Sequence, residues 1–190
     1  LRDALGRFAH RDAVVVVRHR AFELDPRALT THELPLDEIV ARKYSMPVER
    51  ALHERMESEA LDLGMTWSLA AARPTNTLDA HRVNAKGAAQ GHGDEITERI
   101  FRAYFCEGEL VSDHPTLGRL AGEVGVHAID ELRHSDDYAD AVRRDEQAAL
   151  DLGVSGVPTL LLDDRFMVVG AQGSVQMLDA LERAWARRSV

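Results

Sequence analysis

GVSGVPTLLLDDRFMVVG, residues 153–170, decides the fold. Thr159–Leu162 is a short apolar run with the length and bounds of a buried β-strand. Asp163-Asp164 after it suits a tight hairpin turn, and Phe166–Val169 is a second strand rich in β-branched residues. Pro158 stands at the head of the first strand, although proline has no backbone donor to give a ladder. Proline is tolerated at the first residue of a strand, and an X–Pro bond is the one place where a cis peptide is cheap. The turn is therefore either punctuation or part of a binding site.

Outward from the hairpin, Gly153 stops a helix predicted over 136–152 and capped by Ser135. A terminal helix begins at Ser174, with Leu178, Leu181 and Trp185 on its inner face. At the other end Leu1, Leu5 and Phe8 share a helical face, and Ala13–Val17 reads as a strand buried on both sides. Residues 27–134 differ in being helical and amphipathic. Met46-Pro47 opens one helix there, which ends by Gly64. Thr77 caps a second, Asp94 a third running through Phe105, and Asp113 a short fourth. The order is helix, strand, helical block, strand, strand, helix.

Composition excludes several functions. With 190 residues and a net charge of −9, the chain has no electrostatic footprint for nucleic acid or an anionic membrane surface. No apolar run reaches the roughly 20 residues a membrane helix needs. No signal peptide is read, since Leu1-Arg2-Asp3 already lies in a helical pattern. One cysteine, Cys106, excludes an internal disulfide and fits a reducing, cytoplasmic setting. Nine histidines show no metal-ligand spacing, so no metal is expected. Arg143-Arg144-Asp145-Glu146 reads as a solvated face.

Five segments carry a resemblance. They are FELDP (Phe22–Pro26), PTNTLDAHR (Pro74–Arg82), RAYFCEGEL (Arg102–Leu110), DEQAALDLGVSGVPTLLL (Asp145–Leu162) and FMVVGAQ (Phe166–Gln172). In this order and spacing the sequence resembles the DsbA family. The nearest branch is the FrnE-like group, related to the kappa-class glutathione transferases and hydroxychromene-carboxylate isomerases. The resemblance implies an α/β fold, a thioredoxin-like sheet with a large inserted helical domain. Residues 1–26 and 135–190 would form the thioredoxin-like part and 27–134 a helical lid. It implies a cis-proline at Val157-Pro158, facing a Cys-x-x-Cys motif, with the Val157 backbone offering strand-like bonds to an extended substrate. The implied groove is lined by Phe22, Asn76, His81, Val157 and Pro158.

The departure is as informative. Disulfide exchange needs a low-pKa thiolate at a helix N-terminus and a second thiol to resolve the mixed disulfide. No Cys-x-x-Cys is written in residues 1–190, and Cys106 falls near the C-terminal end of its helix. The expectation is that the first strand and the thiol motif lie upstream of Leu1, and that no residue of this chain is itself catalytic. The function implied is thiol–disulfide exchange on a protein or small-molecule substrate. Glutathione is the small thiol in view, and no bound cofactor is expected. The alternative is a glutathione-dependent isomerase or transferase, or a non-redox thiol- or peptide-binding relative. Ala171 and Gln172 lack the hydroxyl and acid that glutathione-using relatives offer there, which favours the dithiol branch. A homodimer is left open.

Overall fold

The computed structural model describes residues 1–8, 14–30 and 46–187. They form two compact units. One comprises Leu1–Arg18 with residues 147–190, and the other His19–Glu146.

The first unit is built on the hairpin. Strand β1 (Thr159–Leu162) pairs antiparallel with β2 (Phe166–Val169), Thr159 facing Val169 and Leu162 facing Phe166. Asp163 and Asp164 both have φ near +50°, the backbone of a type I′ turn, closed by Arg165 N–H to Leu162 O at 3.1 Å. Side chains alternate across the pleat. Leu160, Leu162 and Val168 pack on helices α1 (Arg2–Arg7) and α7 (Ser174–Ala186). Ala4, Met177 and Leu181 are the buried centre of that layer, and Phe8 meets the Trp185 ring edge to face. Leu161, Met167 and Val169 on the other face are exposed.

The predicted strand Ala13–Val17 is not found. Ala13 lies outside the described residues, and Val14–Val17 are in no strand, with Val14 90% exposed and Val16 67%. A β-branched run gives the propensity, but a buried strand also needs a ladder partner. Among the described residues none pairs with it, the sheet being β1 and β2 alone.

The second unit is helical. It holds α2 (Met46–Asp62), α3 (Leu78–Ala89), α4 (Gly93–Glu107), α5 (His114–Glu123) and the start of α6 (Ala139–Asp151). Helices α3 and α4 form a tight hairpin. Ala80 and Val83 of α3 meet Ile96, Ile100 and Ala103 of α4, and Leu117 and Leu120 of α5 close the core. Burying each Leu or Ile side chain is worth about 1.5–3 kcal/mol. Gly87 lets the two helices touch, since a Cβ there would lie 2.6 Å from Ile96 Cγ2. Helix α4 ends at Gly108, whose φ of +65° is a left-handed cap.

A second stripe of α3 carries buried cations. Arg82, 6% exposed, donates to Leu132 O (3.0 Å), Ser135 O (2.5 Å) and Asp137 O (2.9 Å), and pairs with Asp79 at 2.7 Å. Lys86 donates to Ala128 O (2.6 Å) and pairs with Glu131. These two side chains satisfy carbonyls of the connection 128–137, which has a 3₁₀ turn at Ile129–His134.

Helix ends differ from the sequence reading in three places. Thr77 makes no side-chain cap; Asn76 Oδ1 accepts from Leu78 N–H instead, at 3.0 Å. Helix α4 starts at Gly93, so Asp94 lies in its first turn and pairs with His19 at 3.0 Å. Helix α6 starts at Ala139 rather than after Ser135, because Tyr138 has φ +64° and cannot continue a helix. Asp113 does cap α5, accepting from Thr116 N–H at 2.9 Å.

Candidate functional site

Two sets of residues carry chemistry, one in each unit. In the first unit the Val157–Pro158 peptide is cis. Gly170 N–H donates to Pro158 O at 2.8 Å, which extends the β1–β2 ladder by one step. In an antiparallel pair, bonded and non-bonded positions alternate. Leu160 therefore points its backbone groups at Val168, and Thr159 and Leu161 point theirs to the other edge. Val157 precedes them with the same parity and is 48% exposed. No strand pairs with that edge among the described residues. The result is a short row of backbone groups that no described strand pairs, with Pro158 also exposed beside them.

The second set gathers around Phe22. Residues 20–23 lie against the middle of α6 and the N-terminal turn of α3. Asp145 accepts from Ala21 N–H at 3.1 Å and from Arg20 at 3.0 Å. The imidazole of His81 bonds to the backbone of Phe22. Glu23, 7% exposed, lies beside the Glu146 carboxyl and the Asn76 amide. Its Oε2 is buried and has no hydrogen-bond partner among the described residues. Asn76 further anchors this region by accepting Leu78 N–H and by donating its own backbone N–H to Leu29 O at 3.0 Å. Phe22, Asn76 and His81 are thus brought together in one unit. Val157 and Pro158 belong to the other.

Electrostatics follow from burial. Desolvation raises the Glu23 carboxyl from its ordinary value, and the neighbouring Glu146 raises it further; Arg143 and Asn76 oppose this. Desolvation lowers His81, against the Phe22 backbone bond and the charges of Glu146 and Asp145. At neutral pH His81 is a neutral imidazole.

Sequence reasoning missed Glu23, Asp145 and Glu146 as members of this cluster. The reading of residues 143–146 as a solvated face holds for Arg143 and Arg144, which are exposed; Asp145 and Glu146 are half-buried. Helical period was the available signal. Val142 is buried, and positions 145 and 146 follow it by three and four residues, on the same face.

Cys106 sits in the last turn of α4 and is half-buried. Among the described residues no group of three or more His, Cys, Asp or Glu could hold a metal, and no helix is long and apolar enough to cross a membrane. A polar cavity of about 400 Å³ lies elsewhere in the second unit, lined in part by Arg73, Glu107, Glu109 and Asp113. Its carboxylates are engaged already. Glu107 pairs with Arg99, Glu109 with Arg119, and Asp113 caps α5.

An open strand edge led by Pro158, a following hairpin and terminal helix, and an inserted helical block define a thioredoxin-like protein of the DsbA type. The chain matches the DSBA-like thioredoxin domain family over residues 1–182 and belongs to it, a family of thiol–disulfide oxidoreductases. It is similar in structure to the probable DsbA oxidoreductase SCO1869 from Streptomyces coelicolor. The TM-score is 0.92 at 32% identity, over 100% of this chain and 83% of that one. The cytosolic disulfide reductase DsbM from Pseudomonas aeruginosa, solved with GSH, aligns over 60% of this chain and 57% of its own, at 24% identity and TM-score 0.44. No curated protein matches.

Proposed function

We propose that this chain is the substrate-holding part of a thiol–disulfide oxidoreductase of the FrnE-like branch, acting in the cytoplasm. The observation that supports it is the strand edge at Val157, Thr159 and Leu161, which no strand pairs among the described residues. An extended thiol- or disulfide-bearing substrate, a peptide or glutathione, adds there as a short strand. Phe22, Asn76 and His81 form a second candidate binding surface, in the helical unit. Exchange proceeds by thiolate attack on a substrate disulfide. One substrate sulfur leaves as a thiol and the other joins the enzyme in a mixed disulfide, which a second enzyme thiol then resolves. Residues 1–190 hold only Cys106, so the exchanging pair comes from sequence outside them. That single cysteine also favours the second reading, a non-redox relative that binds thiols or peptides and exchanges nothing.

Titrating a disulfide-bearing peptide or oxidised glutathione into the protein, with amide NMR as readout, tests the shared binding step. Shifts are expected at Val157, Thr159 and Leu161. Thr159→Pro removes one edge donor and is expected to weaken binding about 2- to 13-fold, from 0.5–1.5 kcal/mol for one hydrogen bond. Shifts confined to other residues would reject the strand-addition site. Exchange activity in residues 1–190 that vanishes in Cys106→Ser would reject the external dithiol.

A further inference from the structure

The strand edge at Val157 and Thr159 holds two donors, and they are aimed by different means. Pro158 O accepts from Gly170 N–H at 2.8 Å, one step beyond the β1–β2 register. A trans peptide is planar, with its C=O and N–H pointing in opposite directions. Fixing Pro158 O toward Gly170 therefore turns Thr159 N–H to the opposite edge. One peptide further back the ladder has ended. Among the described residues no backbone bond holds the trans peptide between Gly156 and Val157. A side chain holds it instead: the Thr159 hydroxyl donates to Gly156 O at 2.8 Å.

The rest of the connection leaves this peptide to Thr159. On the helix side, Gly153 N–H donates to Leu150 O and Val154 N–H to Ala149 O, each at 2.9 Å, so the chain is fixed as far as Val154. On the strand side it is fixed from Pro158 onward. Ser155, Gly156 and Val157 lie between, and Val157 is 48% exposed. Gly156 carries no side chain to resist rotation of the Gly156–Val157 plane, and a Cβ there would meet nothing within 4 Å. The plane turns unless Gly156 O is held. With that oxygen held by the Thr159 side chain, Val157 N–H points off the turn. Threonine suits the task, because its β-branch restricts χ1 and keeps the hydroxyl in place.

We propose that Thr159 is a positioning residue of this edge: its hydroxyl, bound to Gly156 O, keeps Val157 N–H turned outward to receive a carbonyl of an incoming peptide. This role rests on the reading of the edge as a strand-addition site and names the side chain that sets the first bond of the added strand. Thr159 serves the edge twice. Its own N–H is aimed by the ladder, and its side chain aims the N–H of Val157. Chemistry separates the two contributions. Valine keeps the N–H and the branched shape but has no hydroxyl, and serine keeps the hydroxyl.

The experiment compares wild type, Thr159→Val and Thr159→Ser in the full 190-residue protein. N–H residual dipolar couplings of the unliganded proteins report the tilt of the Gly156–Val157 plane. In Thr159→Val the Val157 coupling is expected to change, while those of Leu160 and Leu162 stay as in wild type and show that the hairpin is folded. Each protein is then titrated with a short peptide carrying one cysteine as a mixed disulfide, followed by amide NMR. Thr159→Val is expected to bind about 2- to 13-fold more weakly, as for one hydrogen bond lost, with the shift at Val157 lost and that at Leu161 kept. Thr159→Ser is expected to restore the coupling, the Val157 shift and the affinity. An unchanged Val157 coupling or an unchanged affinity in Thr159→Val overturns the positioning role and leaves strand addition standing. Equal loss of the Val157 and Leu161 shifts also overturns it, since a hydroxyl that only stabilised the hairpin would act on both. A peptide that shifts none of Val157, Thr159 and Leu161 in the wild type overturns strand addition itself, and the role of Thr159 with it.

Discussion

Replacing Arg82 by Met tests whether the buried guanidinium holds the helical unit together. Methionine has similar length and good helix propensity, so the change removes the donors and little else. Four hydrogen bonds go: to Leu132 O, Ser135 O, Asp137 O and Asp79. Asp79 keeps a partner, His114 at 3.0 Å, so it is not stranded. Of the carbonyls, Leu132 O is bonded to Arg82 in a buried setting and the other two in partly buried ones, where water relieves part of the loss. One buried acceptor costs about 1–3 kcal/mol and each relieved bond about 0.5–1.5. The sum is about 2–6 kcal/mol, which spans the range for breaking a buried ionic contact. Urea unfolding followed by Trp67 fluorescence measures it. Trp67 stacks on Phe105 at 4.7 Å in the same unit, and Trp185→Phe removes the other indole signal. A loss under about 1 kcal/mol would refute the structural assignment.

His81→Gln is expected to change the pH dependence of stability. A lowered His81 means the folded state binds fewer protons than the unfolded one, so its contribution is present above about pH 6.5 and is lost as pH falls toward the lowered value. The wild type should lose up to about 1.4 kcal/mol per pH unit below 6.5 from this residue. The variant should lack that slope in urea titrations at pH 5, 6 and 7, and an unchanged slope would contradict a buried neutral imidazole. Gly87→Ala should destabilise by about 1–3 kcal/mol despite better helix propensity, because the new Cβ meets Ile96 Cγ2 at 2.6 Å. A rise in melting temperature would show that α3 and α4 separate at little cost.

Local chemistry wrote the legible parts of the fold. The hairpin was readable because Asp163-Asp164 tolerate positive φ and each flanking run is apolar, but the reading of a buried first strand goes too far, since Leu161 is exposed. The terminal helix and the Asp113 cap were readable for the same reason, each depending on neighbours within a turn or two. Val14–Val17 misled because pairing is non-local: four valines predict a strand, and only a partner makes one. The late start of α6 depends on the left-handed Tyr138, which no residue preference announces. In the site, Phe22, Asn76 and His81 were reached through segment resemblance. Glu23 and Glu146 were passed over because acidic residues are usually solvated, and their burial comes from contacts across more than a hundred residues.

The bonds from Arg20 and Ala21 to Asp145 also bear on the order of folding. The first unit is discontinuous, with Leu1–Arg18 on one side of residues 19–146 and the rest on the other. Bringing its halves together through an unstructured loop of about 130 residues costs about 4 kcal/mol in the length-dependent part of loop closure, (3/2)RT ln n. The helical unit draws on short-range pairs such as α3 with α4 and can form before that cost falls due. Once it has formed, Asp145 fastens the far end of the loop to Arg20 and Ala21 at its near end. The loop is then already closed at the 3.1 Å bond from Ala21 N–H to Asp145, and the sheet-bearing unit assembles with most of that cost met.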